Sequence, residues 1–260
     1  MGRLEKILDA HIHLDQYEDD EIAAISNVQQ IEGVISVSMD LPSCKRNLKL
    51  SQLYPFIKPA FGFHPEQPLP TDHALSELLS WMEVNKDKMV AIGEVGLPFF
   101  MRAENKISPK EYERYIELLE MFVIQAKIWD KPLALHAVYS DAPIVCDMLE
   151  KHSVMKAHFH WFKGDKRTID RMIENGYFVS ITPELVMNEE ESVKLLDAFP
   201  LNQIMLETDG PWPFEGPYSG RRTHPIMIID SLKKVSERKK ISLKEATKQI
   251  YDNTHKFYGI

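Results

Sequence analysis

Histidine and carboxylate residues recur at the ends of short apolar runs in this sequence. Within a strand, alternate residues face the same side, so the imidazoles of His11 and His13 can bind one cation together. Imidazole and carboxylate ligands suit Zn²⁺, Mn²⁺ or Fe²⁺, and a carboxylate bridge with waters also accepts Mg²⁺. The runs end in His11-Ile12-His13, Gly62-Phe63-His64-Pro65, Gly93-Glu94-Val95-Gly96, Leu135-His136, His158-Phe159-His160 and Glu207-Thr208-Asp209-Gly210.

So many strand ends carry histidine or carboxylate residues that a shared metal centre explains them better than a set of unrelated core histidines does. A lone histidine in an apolar run is more often a hydrogen-bonded core residue than a ligand. Several polar groups buried without partners would be costly, and shared cations supply the partner. The set offers ligands enough for two ions, and Glu94, with two oxygens, is the natural bridge between them.

Each apolar run is followed by a longer stretch with helical spacing, the alternation expected of β-α units and a parallel sheet. Eight such units in 260 residues predict a single (β/α)8 barrel domain over residues 1–260. A doubly wound open sheet is the alternative, but no Gly-rich phosphate loop follows the first strand. The predicted strands are Ile7–Leu14, Gly33–Met39, Lys58–His64, Met89–Leu97, Leu133–Val138, Met155–Phe162, Phe178–Thr182 and Ile204–Asp209.

Residues typical of helix starts and helix ends support the predicted β-α units. Ser108-Pro109 fits an N-cap followed by proline at the first helical position, and Asn175-Gly176 fits a helix stop. Ser242 and Glu245 fit a capping box in the second of two helices that follow the last strand. The other predicted helices are Glu18–Gln30, Lys45–Tyr54, Asp72–Lys86, Pro109–Trp129, Ala142–Lys151, Lys166–Asn175 and Glu189–Phe199.

Composition and charge exclude several classes of protein. With 31 Lys and Arg against 39 Asp and Glu, the net charge is −8, which argues against strong nonspecific binding of duplex DNA. From Gly210 onward, ten Lys and Arg face five Asp and Glu, so a local basic patch stays open. Cys44 and Cys146 are expected to be reduced core residues. With no signal core, membrane span or indicated protein partner, we expect a cytoplasmic protein.

The strand-end motifs, in this order, resemble the TatD family of metal-dependent hydrolases, barrel enzymes often described as deoxyribonucleases. The resemblance runs nearly from end to end of the chain. It covers Asp9 through Asp15, Gly62-Phe63-His64-Pro65, Ala91 through Leu97, Pro132 through His136, His160-Trp161-Phe162-Lys163-Gly164, and Leu206-Glu207-Thr208-Asp209-Gly210-Pro211.

The resemblance implies two divalent metal ions per chain, with Zn, Mg or Mn as the candidate metals. In the sixth strand the family pattern fits His160 rather than His158, and His160 also lies nearer the carboxyl end. Glu207 would orient a histidine rather than bind metal. The implied ligands of one ion are His11, His13, Glu94 and Asp209, those of the second are Glu94, His136 and His160, and His64 lies beside them.

For the reaction, a metal-activated water would attack, Asp209 is the candidate to accept its proton, and His64 would stabilise charge or donate to the leaving group. Substrate phosphates could meet basic side chains near the carboxyl ends of strands six and eight. Aromatic side chains near the same rim could stack on bases or simply pack the loops. The candidate basic residues are Lys163, Arg221 and Arg222, and the candidate aromatic residues are Trp161, Trp212, Phe214 and Tyr218.

Three positions depart from the family pattern outside the metal set. Pro98 stands where the family commonly has Asp, and Val138 stands where it usually has Arg. Gly220-Arg221-Arg222-Thr223-His224-Pro225 replaces the family's Gly-Lys-Arg-Asn-Glu-Pro segment. The metal ligands are therefore retained while the residues around the substrate differ.

These observations favour a metal-dependent hydrolase of phosphodiesters, such as a deoxyribonuclease working from an end or on single strands. The first alternative keeps the barrel and the metals but cleaves a C–N or ester bond of a small molecule, as other amidohydrolase-type enzymes do. The second alternative is a partner protein that has kept the barrel without catalysis, and the complete ligand set disfavours it.

Overall fold

The computed structural model describes residues 6–260; residues 1–5, at which we looked for a signal sequence, lie outside the described part. No helix within residues 6–260 has both the length and the apolar character needed to cross a bilayer. The strands are β1 (Ile7–Ile12), β2 (Ile31–Ser36), β3 (Ile57–Phe61), β4 (Ala91–Gly96), β5 (Leu133–His136), β6 (Ala157–Phe159), β7 (Phe178–Ile181) and β8 (Ile204–Leu206). The helices are α1 (Asp19–Ser26), α2 (Leu41–Leu53), α3 (Asp72–Asn85), α4 (Phe99–Ala103), α5 (Pro109–Trp129), α6 (Ala142–His152), α7 (Lys166–Glu174), α8 (Glu190–Ala198), α9 (Ile228–Lys239) and α10 (Leu243–Tyr258).

The eight strands form a parallel sheet that curls into a barrel. Each strand pairs with the next in chain order from β1 to β8, and the connecting helices lie outside. Two backbone hydrogen bonds just beyond β8 close the ring: the amide of Asp209 donates to the carbonyl of His11 (2.9 Å), and the amide of His13 donates to that of Gly210 (2.8 Å). The predicted (β/α)8 barrel is confirmed, and the doubly wound open sheet is wrong.

The predicted strands are longer than the observed ones at their carboxyl ends, because several chemistry-bearing residues leave the hydrogen-bonded ladder. His64, His160 and Asp209 all lie just past the strand that delivers them. The α2 helix begins at Leu41 instead of Lys45, because the Asp40 carboxylate caps it by accepting from the amide of Ser43 (2.9 Å).

Three sequence signals for helix ends are confirmed. Asn175 is the C-cap of α7, and Gly176 follows it with a φ of +71°. Ser108 caps α5 with Pro109 in its first turn, and Ser242 forms a capping box with Glu245 at α10. The short helix α4 was not predicted: five residues after a proline carry too little periodicity to reveal a helix. It follows β4 directly and therefore lies close to the functional site.

The core has an outer layer between sheet and helices and a small cluster inside the barrel. Alanines from four strands line this inner cluster, leaving room for the Tyr258 ring of α10. Val90 and Phe178, at the starts of β4 and β7, pack against the cluster, so the end of α10 plugs the amino-terminal end of the barrel. Cys44 and Cys146 are buried free thiols, as expected.

Candidate functional site

Five imidazole rings surround the buried carboxylate of Glu94 at the carboxyl-terminal end of the barrel. Glu94 lies in β4, and the rings come from the ends of β1, β3, β5 and β6. All these groups are at least largely buried. The Oε2 atom of Glu94 lies 3.1 Å from Nε2 of His11 and 3.3 Å from Nε2 of His13; Oε1 lies 3.2 Å from Nε2 of His64, 2.9 Å from Nδ1 of His136 and 2.7 Å from Nε2 of His160.

Asp209 faces the same cluster from the opposite side of the ring. Its Oδ1 atom lies 3.4 Å from Nε2 of His11 and 3.6 Å from Nε2 of His13. Asp209 has a φ of +49°, a left-handed conformation that Asp tolerates better than most residues. The pairing register also shifts between Asp9 and Ile12 in β1 and between Ile92 and Val95 in β4. Such irregularities re-aim side chains, and here they occur in the two strands that carry His11 and Glu94.

The donor set fits divalent cations, because its buried atoms converge without enough internal partners. Side-chain atoms in the cluster lack hydrogen-bond partners among residues 6–260, and buried polar atoms are rarely left so. Potential ligand atoms lie within 4.8 Å of one another in three groups: His11, His13 and Glu94; His64, Glu94 and His136; and His11, His160 and Glu207. The atoms without partners include Nε2 of His11, Nε2 of His136, Oε2 of Glu94 and Oδ1 of Asp209.

Electrostatics keep the carboxylates ionised and favour protons on several rings. Burial opposes ionisation of Glu94, but its neighbours, first of all the positive charge of His160, lower its pKa well below the usual range. Burial also opposes protonation of His13, but the nearby carboxylates of Asp209 and Glu94 raise its pKa to about 10. The same competition lowers the pKa of Asp209 and raises those of His136 and His160. Without metal, protons thus take the place that cations would occupy.

His64 behaves differently from the other rings. Burial lowers its pKa, although Glu94 opposes this shift, so the ring is neutral at pH 7. Its Nδ1 atom accepts a hydrogen bond from the amide of Glu66 (3.1 Å), which leaves the proton on Nε2, the nitrogen that faces Glu94. His64 therefore presents a neutral N–H to the cluster.

A cavity of about 300 Å³ opens above the cluster. Its base is formed by His13, His64, Glu94, His136, His160 and Asp209, and its walls by Trp161, Thr182, Glu184, Trp212, Pro213 and Phe214.

Comparison with known proteins identifies this barrel. The sequence profile described as "TatD related DNase" matches residues 8–259 of the chain. The chain belongs to the TatD family. A Haemophilus influenzae relative described as an uncharacterized metal-dependent hydrolase is 39% identical over 255 residues, covering 98% of this chain and all of that protein. The human deoxyribonuclease TATDN3 is 27% identical, covering 97% of this chain and 94% of its own length.

Solved TatD structures share the fold. The Escherichia coli TatD homologue YjjV superposes with a TM-score of 0.87 at 23% identity, covering 99% of this chain and all of that one. An Entamoeba histolytica TatD-family hydrolase gives 0.83 at 19% identity, covering 99% of each chain. The protein is therefore a metal-dependent hydrolase with the TatD barrel.

The basic residues that we expected to meet substrate are largely engaged elsewhere in this TatD protein. Lys163 lies 3.4 Å from Glu184 and 4.4 Å above the Trp161 ring, just outside the cavity lining. Arg222 pairs with Glu21 (3.2 Å). Neither Arg221 nor Arg222 lines the cavity, and none of the arginines in residues 6–260 does.

The expected aromatic residues divide into two kinds. Trp212 lines the cavity, is 48% exposed and packs edge-on against the ring of His13, so its indole is available for stacking. Phe214 also lines the cavity, whereas Tyr218 is buried and donates its hydroxyl to Asp230 (3.1 Å). Tyr218 packs the loop.

The departures from the family pattern at Pro98 and Val138 are linked in space through α4. The carboxylate of Glu66 accepts from the amides of Phe100 (2.7 Å) and Met101 (2.8 Å) at the start of this helix. Arg102, in the same helix, pairs with the buried Asp141 and donates to Ser140 (2.8 Å), both in the loop after β5. A guanidinium thus reaches the β5 loop from α4.

The third departure, at Thr223 and His224, lies close to the end of β1. The carbonyl of Thr223 accepts from the hydroxyl of Tyr17 (2.9 Å), and Nδ1 of His224 accepts from the amide of Ile226 (3.1 Å). These contacts hold the loop, and neither residue lines the cavity.

Sequence reasoning missed two acidic residues at this TatD site. Oε1 of Glu66 lies 3.6 Å from Nε2 of His136, on the side of the ring away from Glu94. Glu184 lines the cavity wall. Their positions in the sequence could have indicated both residues. Glu66 follows His64-Pro65 and Glu184 follows the seventh strand, and polar residues at the carboxyl ends of barrel strands are candidates for the active site.

Proposed function

We propose that this TatD protein is a two-metal phosphodiesterase that hydrolyses DNA, acting from an end or on single strands. The observation that carries the proposal is the convergence on Glu94 of five imidazoles within 3.3 Å, several of whose ring nitrogens have no hydrogen-bond partner within residues 6–260. The family description and the name of the human relative support DNA as the substrate class. The exposed indole of Trp212 beside the cluster supports contact with an unstacked base.

In this proposal Glu94 bridges two sets of ligands. Divalent cations bound there would polarise a phosphoryl oxygen and lower the pKa of a water towards neutrality. Zn²⁺, Mn²⁺ and Mg²⁺ are the candidates. The first set is His11, His13, Glu94 and Asp209, and the second is Glu94, His136 and His160.

Asp209 takes the proton of the attacking water. Its lowered pKa keeps it ionised at neutral pH, and it lies at the cavity base, where one of its oxygens has no hydrogen-bond partner among the described residues. The neutral Nε2–H of His64 stabilises charge on the phosphoryl group by hydrogen bonding, because an imidazole with a lowered pKa is a poor source of a full proton. Of our two expectations for His64, this is the one we retain.

A substrate screen tests the proposal. Purified protein with added Mn²⁺, Zn²⁺ or Mg²⁺ is assayed on bis-p-nitrophenyl phosphate, single-stranded and duplex oligonucleotides, and acyl and amide substrates. We expect phosphodiester hydrolysis, faster on single strands than on blunt duplex, and close to two ions per chain by metal analysis. His64→Ala should lower turnover by about tenfold or more. An undiminished rate would remove the role of His64, and failure on every phosphodiester would refute the proposal.

The same screen tests a second candidate, cleavage of an amide or ester bond in a small molecule. Two features of the cavity favour it: the absence of arginine from the lining within residues 6–260, and the carboxylate of Glu184 in the wall. DNA carries a phosphate at every nucleotide, and such walls offer these phosphates few partners. Hydrolysis of amides or esters with no activity on phosphodiesters would establish the second candidate.

A further inference from the structure

A continuous line of buried polar side chains runs through the interior of the barrel. The hydroxyl of Tyr258 lies 2.6 Å from Nδ1 of His158, and Nε2 of that ring lies 2.6 Å from Oγ of Ser180. Ser180 donates to Oε2 of Glu207 (2.5 Å), and Oε1 of Glu207 accepts from the backbone amide of Trp161 (2.7 Å). Each link is thus within hydrogen-bond distance.

This line connects the two ends of the barrel. Tyr258 belongs to the plug that α10 forms at the amino-terminal end, and Glu207 lies just past β8 at the carboxyl-terminal end. The side chains of His158, Ser180 and Glu207 are fully buried, and Tyr258 is 4% exposed. A polar chain so deep in an alanine-rich interior would be costly unless each of its groups is paired.

The hydrogen bonds determine which group donates and which accepts at each link of the line. Because Ser180 uses its proton on the Glu207 carboxylate, its oxygen must accept from His158, which places that ring's proton on Nε2. Nδ1 of His158 is then an acceptor, and Tyr258 donates to it. With Nε2 donating and Nδ1 accepting, the imidazole of His158 carries a single proton, and the Tyr258 hydroxyl keeps its own.

We propose that Tyr258, His158 and Ser180 are positioning residues that act through Glu207 on the metal site. The inference rests on the proposed function, because it assigns these residues a task at the proposed ligand His160. Oε1 of Glu207 lies 3.8 Å from Nδ1 of His160, within reach of a hydrogen bond after a small movement. The same oxygen holds the amide of Trp161, whose φ of +39° is unusual for a bulky residue.

Fixing Glu207 therefore fixes two consecutive residues. One is His160, whose ring faces Glu94, and the other is Trp161, whose indole forms part of the cavity wall. Carboxylates that orient ligating histidines commonly change metal affinity when they are disturbed. The line extends that control to the opposite end of the barrel.

The first measurement uses the unaltered protein. Nitrogen-15 chemical shifts of the histidine rings report which nitrogen carries the proton. We expect His158 to be neutral with the proton on Nε2, in the metal-free protein and after Co²⁺ is added. A proton on Nδ1 would reverse the direction of the line and overturn the proposal, whatever the catalytic activity proves to be.

The second measurement is a double-mutant cycle read by Co²⁺ binding, followed by visible absorption. Ser180→Ala should weaken apparent Co²⁺ affinity by about tenfold and Tyr258→Phe by about threefold. In the double variant we expect about tenfold, because the outer link has no effect once the inner link is broken. Tyr251→Phe is the matched control: it removes a hydroxyl from the same helix that bonds to the exposed Glu32 (2.5 Å), and affinity should not change.

The outcomes separate this proposal from the proposed function. Losses that multiply to about thirtyfold, or a Tyr258→Phe affinity equal to that of Tyr251→Phe, would show separate structural roles and overturn it. If Tyr258→Phe does not fold, Ser180→Ala and the His158 proton position decide. A chain that binds Co²⁺ but cleaves no phosphodiester refutes the proposed function alone, whereas a chain that binds no Co²⁺ refutes both.

Discussion

The base of the cavity and its rim differ in whether their polar side chains have partners within the protein. At the base, buried side chains from strand ends converge, and several of their nitrogen and oxygen atoms have no hydrogen-bond partner in the described part of the chain. At the rim, Lys163 and Arg222 come from loops and already have carboxylate partners: Lys163 pairs with Glu184, and Arg222 pairs with Glu21. Buried polar atoms without a partner are tolerated where a bound cation can coordinate them. The exposed charges at the rim instead pair with side chains of the protein.

This difference indicates which part of the site has little structural freedom and which part has more. Strand ends are held by the closed ring of hydrogen bonds, so the base has little freedom. The positions at which we expected departures from the TatD pattern, Pro98, Val138 and Thr223-His224, lie on loops. Loops tolerate such changes because they do not support the sheet. We therefore expect large effects from changes at the base and small ones at the rim.

The largest effect is expected from Glu94→Gln. The change keeps the size of the side chain but removes the charge that five imidazoles contact, so turnover should fall by more than about 10²-fold and bound metal should decrease. Metal content by mass spectrometry and hydrolysis of bis-p-nitrophenyl phosphate measure this. Glu184→Gln, the same change at the rim, should leave metal content intact. Normal metal content in Glu94→Gln would contradict the expectation that metal binding depends on the base and not on the rim.

Asp209→Asn should lower kcat by about 10²-fold when metal is saturating. The amide keeps one oxygen for coordination but cannot accept the proton of the attacking water. Steady-state kinetics at increasing Mn²⁺ separate lost binding from lost chemistry. Full turnover with metal bound would show that Asp209 is not the proton acceptor.

Metal affinity should rise with pH, by up to about tenfold per unit for each proton displaced. The raised pKa of His13, about 10, means that this ring carries a proton at pH 7 in the metal-free protein, and cations bind only its neutral form. Below that pKa, each fall in pH therefore strengthens the competing proton. Mn²⁺ calorimetry at pH 6, 7 and 8, in buffers of different ionisation enthalpy, counts the released protons.

A rim histidine provides the control for this pH dependence. Burial lowers the pKa of His224, so the ring is already neutral at pH 7, and His224→Gln should leave the slope unchanged. A pH-independent affinity in the unaltered protein would contradict the proton competition at the base.

The smallest effect is expected from Arg222→Ala. Its side chain is 51% exposed and pairs with Glu21 away from the cavity lining, so KM for a single-stranded oligonucleotide should change by less than about twofold. Trp212→Ala, which removes an exposed indole from the cavity wall, should raise that KM by about fivefold or more. The reverse order would mean that phosphate contacts lie on the arginine loop after all.

How far the sequence predicted the site depended on where each residue lies. The structure places His11 and His13 beside the same carboxylate, and the sequence could predict this proximity because side-chain alternation in a strand is local geometry. Glu66 and α4 were missed, because their importance comes from a contact between separate loops. The same is true of Arg102, which pairs with Asp141 across 39 positions of the chain.

The sequence by itself determined the order of strands and helices and the kinds of ligand that each strand end delivers, because periodicity and capping are properties of neighbouring residues. Only the tertiary structure decided which ligand atoms meet, which rim charges are already paired, and that the line from Tyr258 to Glu207 exists. Those outcomes depend on the register and closure of eight strands. Interactions between residues from 21 to 201 positions apart, such as Lys163 with Glu184 and Arg222 with Glu21, leave little trace in local pattern, since they depend on how the whole barrel packs.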